Sequence, residues 1–323
     1  MPARSKSPLT RRAPVRYGGS RKAFPNQPNH PPFRQPGIPA SFESCTQEAI
    51  IPRKEVLMDD RSALVRDQWN EWSETWYKRY RTGEVIAGLI ARPESAFHPA
   101  TLALIKRALP DLRGKRVCVP SSGNNHAVFA FHLLGARVTS CDISGRQLDN
   151  SRAIALQHGW AIDFVQADTM RLDAVVDGAY DLVYTSNGVH VWISDLPAMY
   201  GSIRRVLKDG GACVMYDVHP FTRPFDYNAD RKLRVVRPYD GTGPFGDVPR
   251  YTWRVQDIAN AMSGAGLRIA RIEETYAEDG SFWIDESRDD QAPLSPAELE
   301  ALGDWRANPL AALPQWLSIY AVK

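Results

Sequence analysis

One segment, RVCVPSSGNNHAVFAFHLLGARVTSCD, constrains the fold more than any other part of the chain. Val117–Val119 form an apolar run that is too short for a helix and is followed by a proline. Ser121–Asn125 are turn-forming residues, and apolar residues at helical spacing follow over His126–Leu134, where a glycine ends them. A second apolar run, Ala136–Cys141, ends at Asp142. The segment therefore predicts a strand, a tight polar turn, a helix and a second strand.

This order of elements is typical of a Rossmann-type nucleotide site. In such a site the turn amides and the helix N-terminus face the ligand, and a carboxylate at the tip of the second strand accepts hydrogen bonds from ribose hydroxyls. Asp142 stands at that tip. The dinucleotide fingerprint has three glycines, and only Gly123 is present, so an ordinary turn in an α/β protein is the alternative interpretation.

Composition is that of an ordinary soluble globular protein, with 43% apolar and 24% charged residues. No apolar run approaches the roughly 20 residues of a membrane span, and no secretory signal is visible near the N-terminus. The four cysteines, Cys45, Cys118, Cys141 and Cys213, contain no CxxC pair, and three of them fall in predicted strands. This usage favours a reducing cytoplasm and argues against disulfides or a metal site.

Residues 1–57 differ from the remainder in proline content and charge. They hold 10 of the 24 prolines and 10 Lys+Arg against 3 Asp+Glu, whereas the remainder holds 30 against 34. Such a segment buries too little apolar surface to offset its chain entropy, so we predict a disordered basic tail. A transit peptide, a nucleic-acid arm and an extension foreign to the natural chain are the alternatives, and Met58 would be a natural domain start. The acidic remainder disfavours nucleic acid as a partner.

Residues 58–110 are predicted to form accessory helices at the start of the domain. Between Ala63 and Arg81, bulky residues step by four, three, four and four, which indicates one helical stripe: Val65, Trp69, Trp72, Trp76 and Tyr80. Core packing is the favoured role of these tryptophans, while Tyr77, off the stripe, could face a ligand. A second helix is predicted at His98–Leu109, with Pro99 at its start and a proline after its end.

Strands and helices alternate after Asp142. Further helices are predicted from Ser144 to Gly159, at Asp195–Leu207, from Val255 to Gly266 and at Pro296–Leu302. Further strands are predicted at Ile162–Gln166, Tyr180–Thr185, Ala212–Val218, Leu267–Ile272 and Trp316–Val322. Residues 219–250 and 276–313 show no periodicity, which favours functional loops or insertions.

From about Asp59 to Lys323 the chain resembles a class I S-adenosylmethionine-dependent methyltransferase of the small-molecule, type 11-like kind. VPSSGNN stands where that family has its glycine-rich loop, Asp142 in CDIS ends the second strand, and Asp168 in QADTM follows the third. YDLVYTSNG resembles the fourth strand and its loop, and RRVLKDGGACVMYD resembles the helix, turn and strand that come next. The order and spacing of these motifs carry the resemblance.

The resemblance implies an α/β, Rossmann-like methyltransferase fold, with a seven-stranded, mostly parallel sheet, an antiparallel last strand and helices on both faces. It implies S-adenosyl-L-methionine as cofactor and methyl transfer to oxygen, nitrogen or an activated carbon of a small-molecule acceptor. It assigns these residues to the cofactor site: Ser121, Gly123, Asn125, Asp142, Ile143, Asp168, Thr169 and Ser186. Val119 replaces an acidic residue of the family's first strand, and Ser121 and Asn125 replace two of its glycines.

The acceptor is expected to bind among the Ser186–Trp192 loop, the N-terminal helices and the segment DVHPFTRPF after the fifth strand. Aromatic side chains and a cation, Arg223, in that segment would suit a flat or anionic ligand. His190 and His219 are candidate general bases, because an imidazole pKa of about 6.5 suits proton removal near neutrality. The alternative for each histidine is a hydrogen bond to the backbone that shapes its loop.

Three other functions are alternatives to methyl transfer. A nicotinamide-dependent oxidoreductase would need the GxGxxG run that this sequence lacks. A non-catalytic domain that binds the cofactor or a partner protein would explain the altered glycine loop. A nucleic-acid base methyltransferase often has an Asn/Asp-Pro-Pro-aromatic run after its fourth strand, where this chain has SNGV.

Overall fold

A seven-stranded sheet in the order β3-β2-β1-β4-β5-β7-β6 lies at the centre of the structure. Its strands are β1 (Arg116–Val119), β2 (Arg137–Asp142), β3 (Ile162–Gln166), β4 (Tyr180–Ser186), β5 (Leu207–Val218), β6 (Arg268–Thr275) and β7 (Trp316–Val322). All neighbouring pairs are parallel except those of β7, which runs antiparallel to both β5 and β6. The predicted methyltransferase-type sheet with an antiparallel last strand is therefore confirmed.

This computed structural model describes residues 58–123, 125–225, 232–284 and 294–323. The predicted tail, residues 1–57, lies outside the described residues, and so does Cys45. The helices are α1 (Met58–Tyr80), α2 (Gly83–Ala91), α3 (Pro99–Ala108), α4 (Ala127–Leu133), α5 (Gly145–His158), α6 (Leu196–Val206), α7 (Val255–Gly264) and α8 (Pro296–Gly303). The sequence pattern did not indicate α2.

Helices cover both faces of the sheet, and β1 shows how the two layers arise. Val117 and Val119 pack into a cluster with residues of α2, α3, α4 and α5, whereas Cys118 packs with residues of α6 and α7. All three side chains are fully buried. Because successive side chains of a strand point to opposite faces, a strand covered on both sides is apolar throughout.

The junction between α6 and β5 differs from the prediction. Lys208–Gly211 were predicted as a turn before a strand that begins at Ala212, but β5 already begins at Leu207. Leu207 pairs with Tyr180, and Ala212 pairs with Leu182, so the intervening four residues bulge opposite a single residue of β4. The turn-forming residues therefore lie in a bulge within β5 and do not precede the strand.

The N-terminal helix α1 packs against α5 through polar contacts. Ser144 Oγ donates to Asn70 Oδ1 at 2.7 Å, and Asn150 Nδ2 donates to the Ser73 carbonyl at 3.0 Å. Ser144 also caps α5, because its hydroxyl accepts from the Gln147 N–H at 3.2 Å. These bonds place α1 beside the carboxyl ends of the parallel strands, where ligands bind in sheets of this kind.

Candidate functional site

A pocket opens at the carboxyl ends of β1, β2 and β4, where the strand order reverses. The empty space within it, including the part open to solvent, is about 1030 Å³. The structure brings together here every residue that the sequence assigned to a cofactor: Ser121, Gly123, Asn125, Asp142, Ile143, Asp168, Thr169 and Ser186.

The β1–α4 turn is held by side chains that replace the family's glycines. Ser121 adopts a φ of 47°, a conformation that is uncommon for any residue but glycine, and its hydroxyl bonds with that of Thr169 at 2.7 Å. Asn125 Oδ1 accepts from the Ala127 N–H at 2.9 Å, and its Nδ2 donates to Ser186 Oγ at 2.6 Å. The turn is thereby tied to the loop after β3 and to the end of β4.

Arg81, which directly follows α1, binds the backbone of the same turn. Its guanidinium donates to the Gly123 carbonyl at 3.3 Å and to Ser151 Oγ at 3.4 Å, and it lies 4.8 Å from the centre of the Phe129 ring. Arg81 is buried. An arginine at the end of α1 therefore links the accessory helix to the backbone of the turn, a role for which the sequence carried no signal.

Asp142 is buried at the end of β2, and its two oxygens accept from backbone amides. Oδ2 accepts from the Gly123 N–H at 2.7 Å, and Oδ1 accepts from the Ser144 N–H at 2.8 Å. Burial raises the pKa of this carboxyl to about 6, although the backbone hydrogen bonds act to lower it. Asp142 thus lines the pocket and also forms an Asx turn through its bond with the Ser144 N–H.

Asp168 joins the loop after β3 to α1. Its Oδ1 accepts from the Met170 N–H at 2.9 Å, and its Oδ2 accepts from Ser62 Oγ at 3.1 Å. The first bond is a local turn, and no helix follows it in the described segment before β4. The second bond brings a residue of α1 to the pocket wall.

Three tryptophans join α1 to the loop after β4. The ring centres of Trp69 and Trp72 lie 5.3 Å apart, and each lies 5.7 Å from that of Trp192, with the rings close to perpendicular. Trp69 and Trp192 line the pocket, and Val65 beside them does too. The side chains of Trp76, Tyr77 and Tyr80 lie outside the described residues.

His190, a candidate base, lies outside the pocket wall in a buried chain of hydrogen bonds. Its Nδ1 lies 2.6 Å from Asp217 Oδ2, and its Nε2 lies 2.7 Å from the Tyr200 hydroxyl. Burial raises the pKa of Asp217, but hydrogen bonds from the His190 ring and from the His190 and Gly188 amides outweigh it and lower the pKa to about 2. Burial raises the pKa of Tyr200 well above its ordinary value. The carboxylate therefore accepts from Nδ1, and the phenol, which keeps its proton, bonds with Nε2.

The same carboxylate orders the loop after β4. Asp217 Oδ1 accepts from the Gly188 N–H at 2.6 Å, and Oδ2 accepts from the His190 N–H at 3.0 Å. The next turn of the loop is held from the chain before α7, since the Tyr251 N–H donates to the Val191 carbonyl and Trp253 Nε1 donates to the Ile193 carbonyl, both at 2.8 Å. The geometry favours the structural alternative for His190.

His219 is also buried with both ring nitrogens engaged. Its Nδ1 accepts from the Phe221 N–H at 3.1 Å, so Nε2 carries the proton and donates to Glu274 Oε1 at 2.7 Å. Residues 217–225, all of which the structure describes, contribute nothing to the pocket wall. The segment after β5, including Arg223, is thus not brought to the pocket, whereas the loop after β4 and α1 are.

Several pocket residues were not named individually by the sequence analysis. His126 at the start of α4, Met170 after β3, Asn187 after β4 and Ser62 on α1 all line the pocket. His126, Met170 and Asn187 directly follow turn or strand-end motifs, so their position was available as a signal. Ser62 had none, because it reaches the site only through the packing of α1.

Within the described ranges, no three or more His, Cys, Asp or Glu side chains are grouped as a metal site would require. No helix among these residues combines the length and apolar character needed to cross a bilayer. Cys118, Cys141 and Cys213 are buried free thiols in the strands where they were predicted.

Comparison with known proteins connects this pocket to one family. Residues 121–211, from the β1–α4 turn into β5, match the methyltransferase domain family. The chain is 27% identical over 232 residues to the sterol 24-C-methyltransferase ERG6B of Gibberella zeae. The match covers 68% of this chain and 57% of that protein. The chain is also 26% identical over 144 residues to the uncharacterized methyltransferase YbaJ of Bacillus subtilis, which covers 44% of this chain and 56% of that protein. The chain thus spans little more than half the length of these relatives.

A solved structure shares the fold. The S-adenosylmethionine-dependent methyltransferase of Mesorhizobium loti is 20% identical with a TM-score of 0.50, and the match covers 72% of this chain and 98% of that one. At this identity the likeness concerns the sheet and its helices.

Proposed function

We propose that this chain, a class I S-adenosylmethionine-dependent methyltransferase, transfers the methyl group of that cofactor to a small-molecule acceptor. The observation that carries the proposal is the pocket at the reversal of strand order, which gathers the β1–α4 turn, the two strand-end carboxylates and Ser186. The position is the one at which open α/β sheets bind nucleotide ligands.

The donor and acceptor groups of the pocket fit this cofactor. Asp142 offers a carboxylate for the ribose hydroxyls, and Asp168 offers one for the adenine amino group, as the family resemblance implies. Asn187 also lines the pocket, and its Oδ1 is buried without a hydrogen-bond partner in the described part of the chain. A buried acceptor of this kind suits a bound donor such as the ammonium group of the cofactor.

Bound S-adenosylmethionine supplies a methyl group on a sulfonium, so the methyl–sulfur electron pair stays on sulfur while the acceptor's electron pair forms the new bond. The chain has to align the acceptor and exclude water. Val65 and Trp69 of α1 form part of the pocket wall and contribute apolar surface to it. His190 and His219 lie outside the wall with their nitrogens engaged, so the proposal assigns neither of them a proton transfer.

Two measurements test the proposal. Isothermal titration calorimetry should detect binding of S-adenosylmethionine and S-adenosylhomocysteine, and Asp142→Ala should weaken both at least roughly tenfold, since it removes charge-assisted hydrogen bonds. Asp163→Ala, which removes an exposed carboxylate of β3, is the matched control. A screen of small metabolites for formation of S-adenosylhomocysteine then identifies the acceptor. A folded wild-type protein that binds neither compound, or that binds NADH instead, would overturn the proposal.

A non-catalytic cofactor-binding domain is the competing function, and the altered glycine loop is the observation behind it. It predicts tight binding of both cofactor forms with no turnover on any acceptor in the screen.

A further inference from the structure

We infer that the acceptor is a neutral, largely apolar or aromatic small molecule, held against the wall that Trp69 and Trp192 form. The inference rests on the proposed function and deepens it. Of the flat or anionic ligand that the sequence suggested, it keeps the flat one and replaces the anionic one.

The wall of the pocket divides into a polar and an apolar part. The polar part comes from the strand ends and the β1–α4 turn, which the cofactor occupies in the proposed function. The part that α1 and the loop after β4 contribute is apolar apart from Ser62, Asn187 and the backbone of the loop: Val65, Trp69, Val189, Trp192 and Ile193. An acceptor therefore meets mainly hydrocarbon and indole surfaces.

Charge in the pocket is unfavourable for an anion. The described wall contains the carboxylates of Asp142 and Asp168 and no lysine or arginine. Arg66 and Arg171 line a neighbouring shallow depression beyond Asp168, where Arg66 pairs with Asp67 and Arg171 with Asp173. An anionic acceptor would leave water for a wall with two carboxylates and no lysine or arginine, which costs free energy that a neutral acceptor avoids.

The indole wall is held in place before any ligand binds. Trp192 lies in the loop that Asp217 orders, and the backbone N–H of Trp192 donates to the Val189 carbonyl at 3.0 Å. The edge-to-face contacts with Trp69 and Trp72 join this loop to α1. A preorganised aromatic wall loses little conformational entropy on binding, which favours a flat or hydrocarbon ligand.

Packing between α1 and the loop is the competing explanation of the tryptophan cluster, and Trp72 separates the two. Trp72 belongs to the cluster but does not line the pocket, whereas Trp69 and Trp192 do both. If the cluster only packs, Trp72→Ala and Trp192→Ala should lower stability alike, and neither should act selectively on the binding of a ligand.

The experiment uses two probes that differ by one charged group, in the presence of saturating S-adenosylhomocysteine. N-phenyl-1-naphthylamine is neutral, and 8-anilino-1-naphthalenesulfonate carries a sulfonate on a similar frame. We expect the neutral probe to bind at least roughly tenfold more tightly, as fluorescence titration would show. Trp69→Ala and Trp192→Ala should each weaken binding of the neutral probe at least roughly tenfold more than binding of the cofactor product, because each removes a large apolar contact with the probe. Trp192→Phe should recover most of the loss.

Trp305→Ala is a control, because it removes an exposed tryptophan remote from the pocket and should change neither affinity. Melting temperatures identify any variant that fails to fold, and if Trp69→Ala or Trp192→Ala does so, the other serves in its place. Binding of the cofactor product without the neutral probe, equal or tighter binding of the sulfonate, or equal probe loss in Trp72→Ala and Trp192→Ala would each overturn the inference and leave the proposed function standing. Failure of the wild-type protein to bind the cofactor product would overturn the proposed function.

Discussion

Cofactor affinity should depend on pH through Asp142. Burial raises the pKa of this carboxyl to about 6 from an ordinary value of 3.8, against the lowering effect of three backbone amides. In the proposed function the ionised form accepts hydrogen bonds from the ribose hydroxyls, and a protonated carboxyl accepts them less strongly. Acidification through pH 6 should therefore weaken binding.

The magnitude follows from the pKa. If only the ionised carboxyl binds the cofactor, the dissociation constant rises about twofold at pH 6 and about elevenfold at pH 5, and the elevenfold rise corresponds to about 1.4 kcal/mol of binding free energy.

The stability of the unliganded protein should change in the opposite direction. A carboxyl whose folded pKa lies above its unfolded value destabilises the native state when ionised, so the free energy of unfolding rises as pH falls from about 6 to about 4. The difference between the two pKa values sets an upper size of about 3 kcal/mol.

Calorimetry with S-adenosylhomocysteine between pH 5 and pH 8 measures the effect. The wild-type dissociation constant should rise roughly tenfold from pH 7 to pH 5. Asp142→Asn should bind at least roughly tenfold more weakly at pH 7 and show no such dependence, whereas Asp163→Asn should follow the wild type. A flat wild-type profile, or an unchanged slope in Asp142→Asn, would refute the assignment of this titration to Asp142.

Three further results are expected. Asp217→Asn should lower the free energy of unfolding by about 3 kcal/mol, because an amide oxygen can accept at only one of the two positions that now receive four N–H groups. Since the folded pKa of Asp217 is lowered to about 2, this deficit in urea unfolding should shrink as pH falls from about 4 toward 2; a deficit that persists there would contradict the argument. With an acceptor in hand, His219→Gln should reduce turnover less than roughly tenfold at saturating cofactor, and a larger loss would restore its role as a base. A chain that begins at Met58 should keep its melting temperature and cofactor affinity, and a marked loss of either would show that residues 1–57 contribute to the domain.

Local sequence patterns sufficed for the elements that carry the cofactor side of the site. Val117–Val119 are apolar on both faces and are bounded by Pro120, which marks a buried strand without knowledge of its neighbours. Asp142 and Asp168 follow such strands directly. Because parallel strands end at the same edge of a sheet, residues just after them meet at one place, and their proximity could be predicted from the order of the elements.

The sequence by itself therefore predicted the strands and the residues at their ends, since these depend on signals within a few positions of each residue, and the family resemblance implied the seven-stranded sheet with its antiparallel last strand. Tertiary structure alone decided what covers the pocket and where each histidine points. A helical stripe states that one face of α1 is apolar, but the bond from Ser62 to Asp168 spans 106 positions, and no local pattern specifies it. Likewise, the sequence of the loop after β4 does not determine whether the His190 side chain points into the protein or toward solvent. The buried carboxylate of Asp217, which lies 27 positions away, made the inward orientation favourable because a buried charge must be paired.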